Sequence, residues 1–375
     1  GSDVTLDDLR KHYHQVMFST GAPFDRNLGV PGEDLDGCFS ATEFVAWYNG
    51  HPDFSERKFD LSQENVVIVG VGNVAMDLAR MLCKTHEELS VTDVADHALE
   101  ALKNSKVKNV YILGRRGPAQ AAFTPPEIKE LGEFEDADVT VPYEEAKVDA
   151  ASLALIENDK NALKNINFIS EYAERAIEGK SRLLTIRFLV SPVEILGADG
   201  KVKSVKVVKN KLVENQDGTV RPVASEETEN IPAGLIFRSV GYKGKPLPDI
   251  PYDENSGTIM NASGRVVESD GAPVCGLYTA GWIKRGPSGV IGTNKTCAQE
   301  TVARMIEDIG LGKVNIPEDP SIKGVEDLIN GIDSAVVTYP EWENIDRLEL
   351  QKGEAQGRPR VKYTDVNEMI RVAKS

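Results

Sequence analysis

Four consecutive apolar β-formers, Val66-Val67-Ile68-Val69, run into Gly70-Val71-Gly72-Asn73-Val74-Ala75. Apolar residues then recur at helical spacing at Val74, Leu78, Ala79, Met81 and Leu82. An unbroken apolar run predicts a parallel strand buried on both faces, and the 3.6-residue period predicts a helix packed on it. A strand, a glycine turn and a helix with Ala75 in the third small position form the dinucleotide-binding fingerprint. Gly70 permits the tight turn, Gly72 lets backbone approach a pyrophosphate, and Ala75 lets helix and strand pack closely. The helix N-terminus offers unpaired N–H groups and partial positive charge to phosphates.

The same patterning predicts the other elements. Residues 40–49 form a helix with Ser40 and Glu43 at capping-box spacing. A helical insertion at 84–105, with a helix over 92–102, precedes a strand at 109–113. Proline opens a helix over 125–131. Residues 149–179 are helical and polar with a loop inside. A strand at 182–190, a meander at 203–213 and 220–224, and a buried strand at 234–240 follow. Strands at 13–18 and 276–280 each end in small residues. A glycine-rich loop, Gly286 to Gly292, opens a helix over 293–308, and tail helices cover 321–330, 339–351 and 365–373.

The length of 375 residues suits two domains or a discontinuous pair. No stretch approaches the ~18–20 apolar residues of a membrane span. A net charge of −16 argues against nucleic acid or an anionic membrane as partner, because phosphate backbones reward basic patches. The acidic excess is dispersed, as at 133–138 and 226–229, and reads as solvated surface. Cys38, Cys83, Cys275 and Cys297 form no CxxC pair, which excludes a thioredoxin-reductase-like redox disulfide and gives no zinc or iron–sulfur spacing. Scattered cysteines suit a reducing compartment, and cytoplasmic location is expected, with a mitochondrial matrix also compatible. The five histidines are scattered too. His12 and His14 alternate along the predicted strand, and no metal site is expected. The chain shows no signal or transit pattern and enters structure almost at once, as if cut from a longer protein.

The strand at 109–113 ends in Gly114-Arg115-Arg116-Gly117-Pro118. In an NAD site, an acidic residue at the end of this strand holds the ribose hydroxyls. Two arginines there point to a 2′-phosphate, hence NADP, because a guanidinium presents a planar fork of donors to a dianion that a carboxylate would repel.

These pieces resemble the adrenodoxin reductase-type ferredoxin–NADP(+) reductase family. The resemblance spans nearly the whole chain and rests on 70–77, on 114–118 with Ala122-Phe123-Thr124, on Ser239-Val240-Gly241-Tyr242, and most specifically on Ala280-Gly281-Trp282-Ile283-Lys284-Arg285-Gly286-Pro287-Ser288-Gly289-Val290-Ile291-Gly292-Thr293. It implies an α/β fold: a Rossmann-like three-layer NADP domain, parallel sheet plus β-meander, inserted into a split FAD domain of which only the C-terminal part is present. The implied division is 1–25 as a closing strand of the FAD domain, 26–244 as the NADP domain, and 245–375 as the C-terminal FAD part with the tail helices.

The implied reaction is hydride transfer from NADPH to FAD, then single-electron transfer to a ferredoxin-type iron–sulfur protein. By resemblance, Gly70, Gly72, Asn73 and Val74 hold the pyrophosphate, Arg115 and Arg116 clamp the 2′-phosphate, and Glu127 contacts the same ribose. Trp282 lies over the nicotinamide–flavin region and Asp77 near the nicotinamide pocket; these two are the candidate catalytic residues. Gly281 precedes that tryptophan where more distant disulfide reductases carry Gly-Asp. Gly289, Val290, Ile291 and Thr293 contact flavin or NADP through backbone. No acid–base triad is needed, since the cofactors carry the redox chemistry.

Two departures from the family are visible. Only one Gly-x-Gly turn is present, the NADP one. The strands at 13–18 and 276–280 are therefore expected to lack sheet neighbours, and the chain as written is expected to bind FAD weakly or not at all. The stretch that resembles a ferredoxin-docking surface, 159–175, holds only Lys160, Lys164 and Arg175 as cations, so steering of an acidic partner is expected to be weak. Two further readings are compatible: a glutamate-synthase small-subunit-like NADPH oxidoreductase, and a stand-alone NADP(H)-binding module without flavin.

Overall fold

The computed structural model describes residues 3–289, 292–332 and 335–375. The chain divides into two compact units, Gly1–Arg26 with Gly241–Val336, and Asn27–Val240 with Val337–Ser375.

The larger unit is built on a six-stranded sheet. Its spatial order is Cys38–Ser40, Leu235–Arg238, Asn65–Val69, Asn109–Leu113, Arg182–Arg187 and Ala137–Thr140, and every pairing is parallel. Alternation along Asn65–Val69 sets the layers. Val66 and Ile68 face a core shared with Leu78, Met76, Ile128 and Ile169 from the helices. Val67 and Val69 face the opposite core, shared with Val190, Val205 and Val207. That second core belongs to an antiparallel meander of Val190–Ala198, Lys201–Glu214 and Val220–Pro232. All four strand residues from Val66 to Val69 are buried, so the run is apolar throughout. The C-terminal end of Asn65–Val69 runs into the glycine turn and the helix Asn73–Cys83, and the carboxyl ends of the strands are where such folds bind ligands.

The tail departs from the division expected from sequence. Residues 337–375 fold with the larger unit. The cause is Arg358, whose guanidinium is nearly inaccessible. It donates to the Thr92 carbonyl (2.9 Å), to the Val94 carbonyl and to Asp96 (2.6 Å), all in the helical insertion. The insertion itself forms two helices, His86–Ser90 and Asp96–Lys103, because Thr85 and Glu88 make a capping box of their own.

In the smaller unit, Val16–Phe18 pairs in parallel with Pro273–Thr279, which is flanked on its other side by Arg265–Val267. The expectation that these two strands lack sheet neighbours is therefore corrected: each is the other's neighbour. His12 ends the helix Leu6–His12 and does not share a strand face with His14. The helix Thr293–Gly310 is held to the sheet by buried polar contacts. Tyr278 donates to Asp308 (2.9 Å), Arg265 grips Asp308 (2.7 and 3.0 Å), and Thr301 donates to the Thr279 carbonyl (2.9 Å). Among the described residues, no helix is long and apolar enough to cross a membrane.

Candidate functional site

In the larger unit the chain turns at Gly70 with φ of 132°. A Cβ there would lie 2.0 Å from the Ser239 carbonyl oxygen, so only glycine fits. Gly72 is different. It caps the helix Asn73–Cys83 without a side-chain hydrogen bond, and a Cβ there would meet nothing within 4 Å. The backbone at Gly72 thus faces open space at a helix N-terminus, the geometry that receives an anion. Ala75 is fully buried against the sheet.

The loop after Asn109–Leu113 is pinned beside this turn. Thr124 donates its N–H to Asn73 Oδ1 (2.8 Å), and Ala122 donates to the Val71 carbonyl (2.9 Å). Asn165, buried in the helix Lys160–Glu174, donates to the Phe123 carbonyl (2.8 Å). From the meander, buried Asn210 donates to the Arg115 carbonyl (2.8 Å), and Leu189 donates to the Arg116 carbonyl (3.1 Å). The backbone under the two arginines is therefore fixed while both side chains are exposed. Among the described residues, neither guanidinium has an acid or other partner. Burial, and then the charge of Arg115, lower the Arg116 pKa. In a chain with net charge −16, two adjacent cations on a braced loop, without a protein partner among the described residues, can receive an anion.

Asp77 and Glu127 come together, as members of one ion-pair cluster. Arg80 Nη2 pairs with both, and Arg80 Nη1 with Glu130. Glu130 also takes Lys84 (3.1 Å). Burial raises the Asp77 pKa against the pull of Arg80, with Glu127 and Glu130 adding to the rise. Burial acts the same way on Glu130, but hydrogen bonds from Arg80 and Lys84 outweigh it and hold that carboxyl low. The Glu127 carboxylate expected at a ribose is thus engaged by Arg80. The i,i+3 spacing of Asp77 and Arg80 is visible in sequence. The convergence of Glu127 and Glu130 on the same guanidinium, about fifty residues on, is not.

A second constellation lies in the smaller unit. Gly281, with φ of 76°, starts the short helix Trp282–Arg285, and its N–H points to Cys297 Sγ (3.3 Å). Half-buried Trp282 stacks on Tyr242, ring centroids 5.8 Å apart and planes inclined by 14°. Arg285 donates to the Ser288 carbonyl (3.0 Å) and to Asn294 Oδ1 (2.8 Å), while its Nε and Nη1 are buried without a partner among the described residues. Gly289 has φ of 79°, and a Cβ there would lie 2.4 Å from Thr293 Oγ1. Thr293 opens its helix behind Gly292, again with no side-chain cap. Val290 and Ile291 lie outside the described residues. Among the described residues, no group of His, Cys, Asp and Glu could hold a metal ion.

Parallel sheet, braced glycine turn and paired arginines define a dinucleotide-dependent α/β oxidoreductase. No model of a known protein family matches the chain, whereas individual relatives do. NADPH-ferredoxin reductase FprA of Mycobacterium tuberculosis is 42% identical over 381 residues, spanning 99% of this chain and 81% of the relative. Mitochondrial NADPH:adrenodoxin oxidoreductase of Salvelinus fontinalis is 39% identical over 388 residues, spanning 100% and 76%. The solved structure of Mycobacterium tuberculosis FprA in complex with NADPH matches with a TM-score of 0.91 at 40% identity, covering 100% of this chain and 81% of that one. The chain belongs to the NADPH:ferredoxin and adrenodoxin reductase family.

Proposed function

We propose that the chain binds NADP(H) at the Gly70–Arg116 site and acts as a flavin-dependent reductase that passes electrons to a ferredoxin-type iron–sulfur protein. The observation that carries the reading is the unpaired Arg115 and Arg116 on a loop tied to the glycine turn. The relatives' names and the NADPH complex of one of them support it. The arginine pair receives the 2′-phosphate and the Gly72 backbone receives the pyrophosphate.

The smaller unit's residues would hold part of a flavin, and because FAD is expected to bind weakly it is supplied in the tests below. Arg285 carries two buried nitrogens in need of an acceptor, and the helix Thr293–Gly310 presents an N-terminus without a side-chain cap. FAD, when bound, supplies hydride acceptance from NADPH and release of electrons one at a time. The chain's part is to position and shield. The Trp282 indole, stacked on Tyr242, would shield the ring region, and Gly281 and Gly289 would allow close backbone approach. Trp282 is the side chain assigned to the reacting end of the nucleotide, whereas Asp77 is held by Arg80 in the ion-pair cluster of the larger unit. In this reading residues 27–240 with the tail are the NADP domain, and residues 3–26 with 241–336 contribute to the FAD domain.

Exposed Lys160 and Lys164 on the helix Lys160–Glu174 are the cations offered to an acidic carrier, and the scattered cysteines suit a reducing compartment such as a bacterial cytoplasm. NADPH-dependent cytochrome c reduction, with FAD supplied, tests the reading. It is expected to require added ferredoxin. A chain that binds NADPH yet reduces nothing is a binding module instead.

A further inference from the structure

We propose that Arg80 is a positioning residue that sets the preference for a 2′-phosphorylated nucleotide, by cancelling carboxylates that crowd one flank of the site. This rests on the reading of Arg115 and Arg116 given above.

Arg80 lies two turns into the helix Asn73–Cys83 and is largely buried. Three carboxylates converge on its guanidinium: Asp77 from the same helix, and Glu127 and Glu130 from the helix Pro125–Leu131. Lys84 adds a second cation through Glu130. The cluster therefore carries one net negative charge, and would carry two without Arg80.

Position makes that charge matter. The helix Pro125–Leu131 is capped by Thr124, whose N–H is bound to Asn73 in the glycine turn. Glu127 is thus anchored beside the turn, on the same loop-to-helix segment that begins with Arg115 and Arg116. Charges closer than a Debye length, about 8–10 Å at ordinary ionic strength, are only partly screened. Two arginines attract the phosphate from one end of the loop, and unneutralised Glu127 and Asp77 would repel it from the other. Burial is the main cause of the raised Asp77 pKa, and Glu127 and Glu130 add to it. Arg80 touches no nucleotide in this scheme. It decides how much negative potential the nucleotide meets, and it holds the helix that fixes the arginine loop.

A purely structural staple would cost both nucleotide classes equally, and charge removal would not repair it. The full-length chain is titrated calorimetrically with adenosine 2′,5′-bisphosphate and with 5′-AMP, which differ only in the 2′-phosphate. Arg80→Met is expected to weaken the bisphosphate about tenfold and 5′-AMP about twofold, with the difference shrinking at high salt. Adding Glu130→Gln to Arg80→Met is expected to restore most of the lost preference. Should Arg80→Met fail to fold, Arg80→Lys keeps one charge but loses the three-way fork, and is expected to fall between wild type and the loss. Equal losses for both nucleotides, or no recovery with Glu130→Gln, overturn the inference and leave Arg80 a staple. A wild-type chain with no preference for the bisphosphate overturns the arginine-pair reading itself, and this inference with it.

Discussion

Asn73 Oδ1 accepts the backbone N–H of Thr124 at 2.8 Å. This single contact joins the first residue of the fingerprint helix to the end of the loop that carries Arg115 and Arg116. With the Ala122 N–H on the Val71 carbonyl (2.9 Å), it braces the glycine turn against the arginine loop. Asn73→Ala is expected to cost about 1–2 kcal/mol in NADPH affinity through loss of that brace. Asn73→Asp keeps the acceptor but sets a carboxylate at the phosphate-facing helix end, and should weaken NADPH further while melting at nearly the wild-type temperature. Parallel calorimetric titration and thermal melts check both.

The two glycines of the turn do different work. Gly70→Ala drives a Cβ into the Ser239 carbonyl at positive φ, and is expected to destabilise the unit by roughly 3 kcal/mol or more. Gly72→Ala meets nothing in the protein and should leave the melting temperature nearly unchanged, yet its methyl occupies the face offered to the pyrophosphate. Denaturant melts beside NADPH titrations distinguish the two: a stable Gly72→Ala that binds normally would show that the open face is not the nucleotide face.

Replacing Arg115 and Arg116 together by alanine is expected to weaken NADPH binding by ~2–4 kcal/mol, since charge-assisted contacts to a dianion are lost. NADH should change little. Neither side chain has a protein partner among the described residues, so stability is expected to hold or rise slightly as their mutual repulsion is removed. Matched losses for the two cofactors would argue against the clamp.

Acid should loosen the smaller unit through Asp308. Hydrogen bonding from Arg265, opposed by burial and helped by Tyr278, holds this carboxyl below the ordinary aspartate value. A depressed folded pKa contributes stability that is present above the unfolded value of about 3.9 and is lost as pH falls through the folded one. Asp308→Asn is expected to cost about 1–3 kcal/mol at neutral pH, because Arg265 loses its two contacts to Asp308 and keeps only Glu307. Its stability curve should approach that of wild type as pH falls below the unfolded value and through the lower folded one. Urea melts across pH 2–7 follow this, and a constant gap down to the lowest pH would contradict it.

The parallel core was readable because Val66–Val69 and Asn109–Leu113 are apolar by local pattern alone, and period 3.6 placed the fingerprint helix. The arginine pair was readable because it follows a strand directly. What pattern could not supply were contacts set by tertiary packing. Arg358 reads as part of an exposed basic turn, yet it is buried by carbonyls more than 250 residues earlier. That contact carries the tail onto the larger unit. Arg80 reads as the polar face of a helix, and only folding brings Glu127 and Glu130 to it. The pairing of Val16–Phe18 with Pro273–Thr279 joins segments about 260 residues apart, a register that periodicity within either strand does not encode.

Anaerobic mixing of the FAD-supplemented chain with NADPH or NADH, followed at the flavin absorbance band, tests the central claim most directly. The account predicts that NADPH bleaches the flavin rapidly, that NADH at equal concentration does so far more slowly, and that added ferredoxin restores the colour as it takes the electrons. Equal bleaching by both nucleotides, or none by NADPH under conditions where it binds, would contradict it.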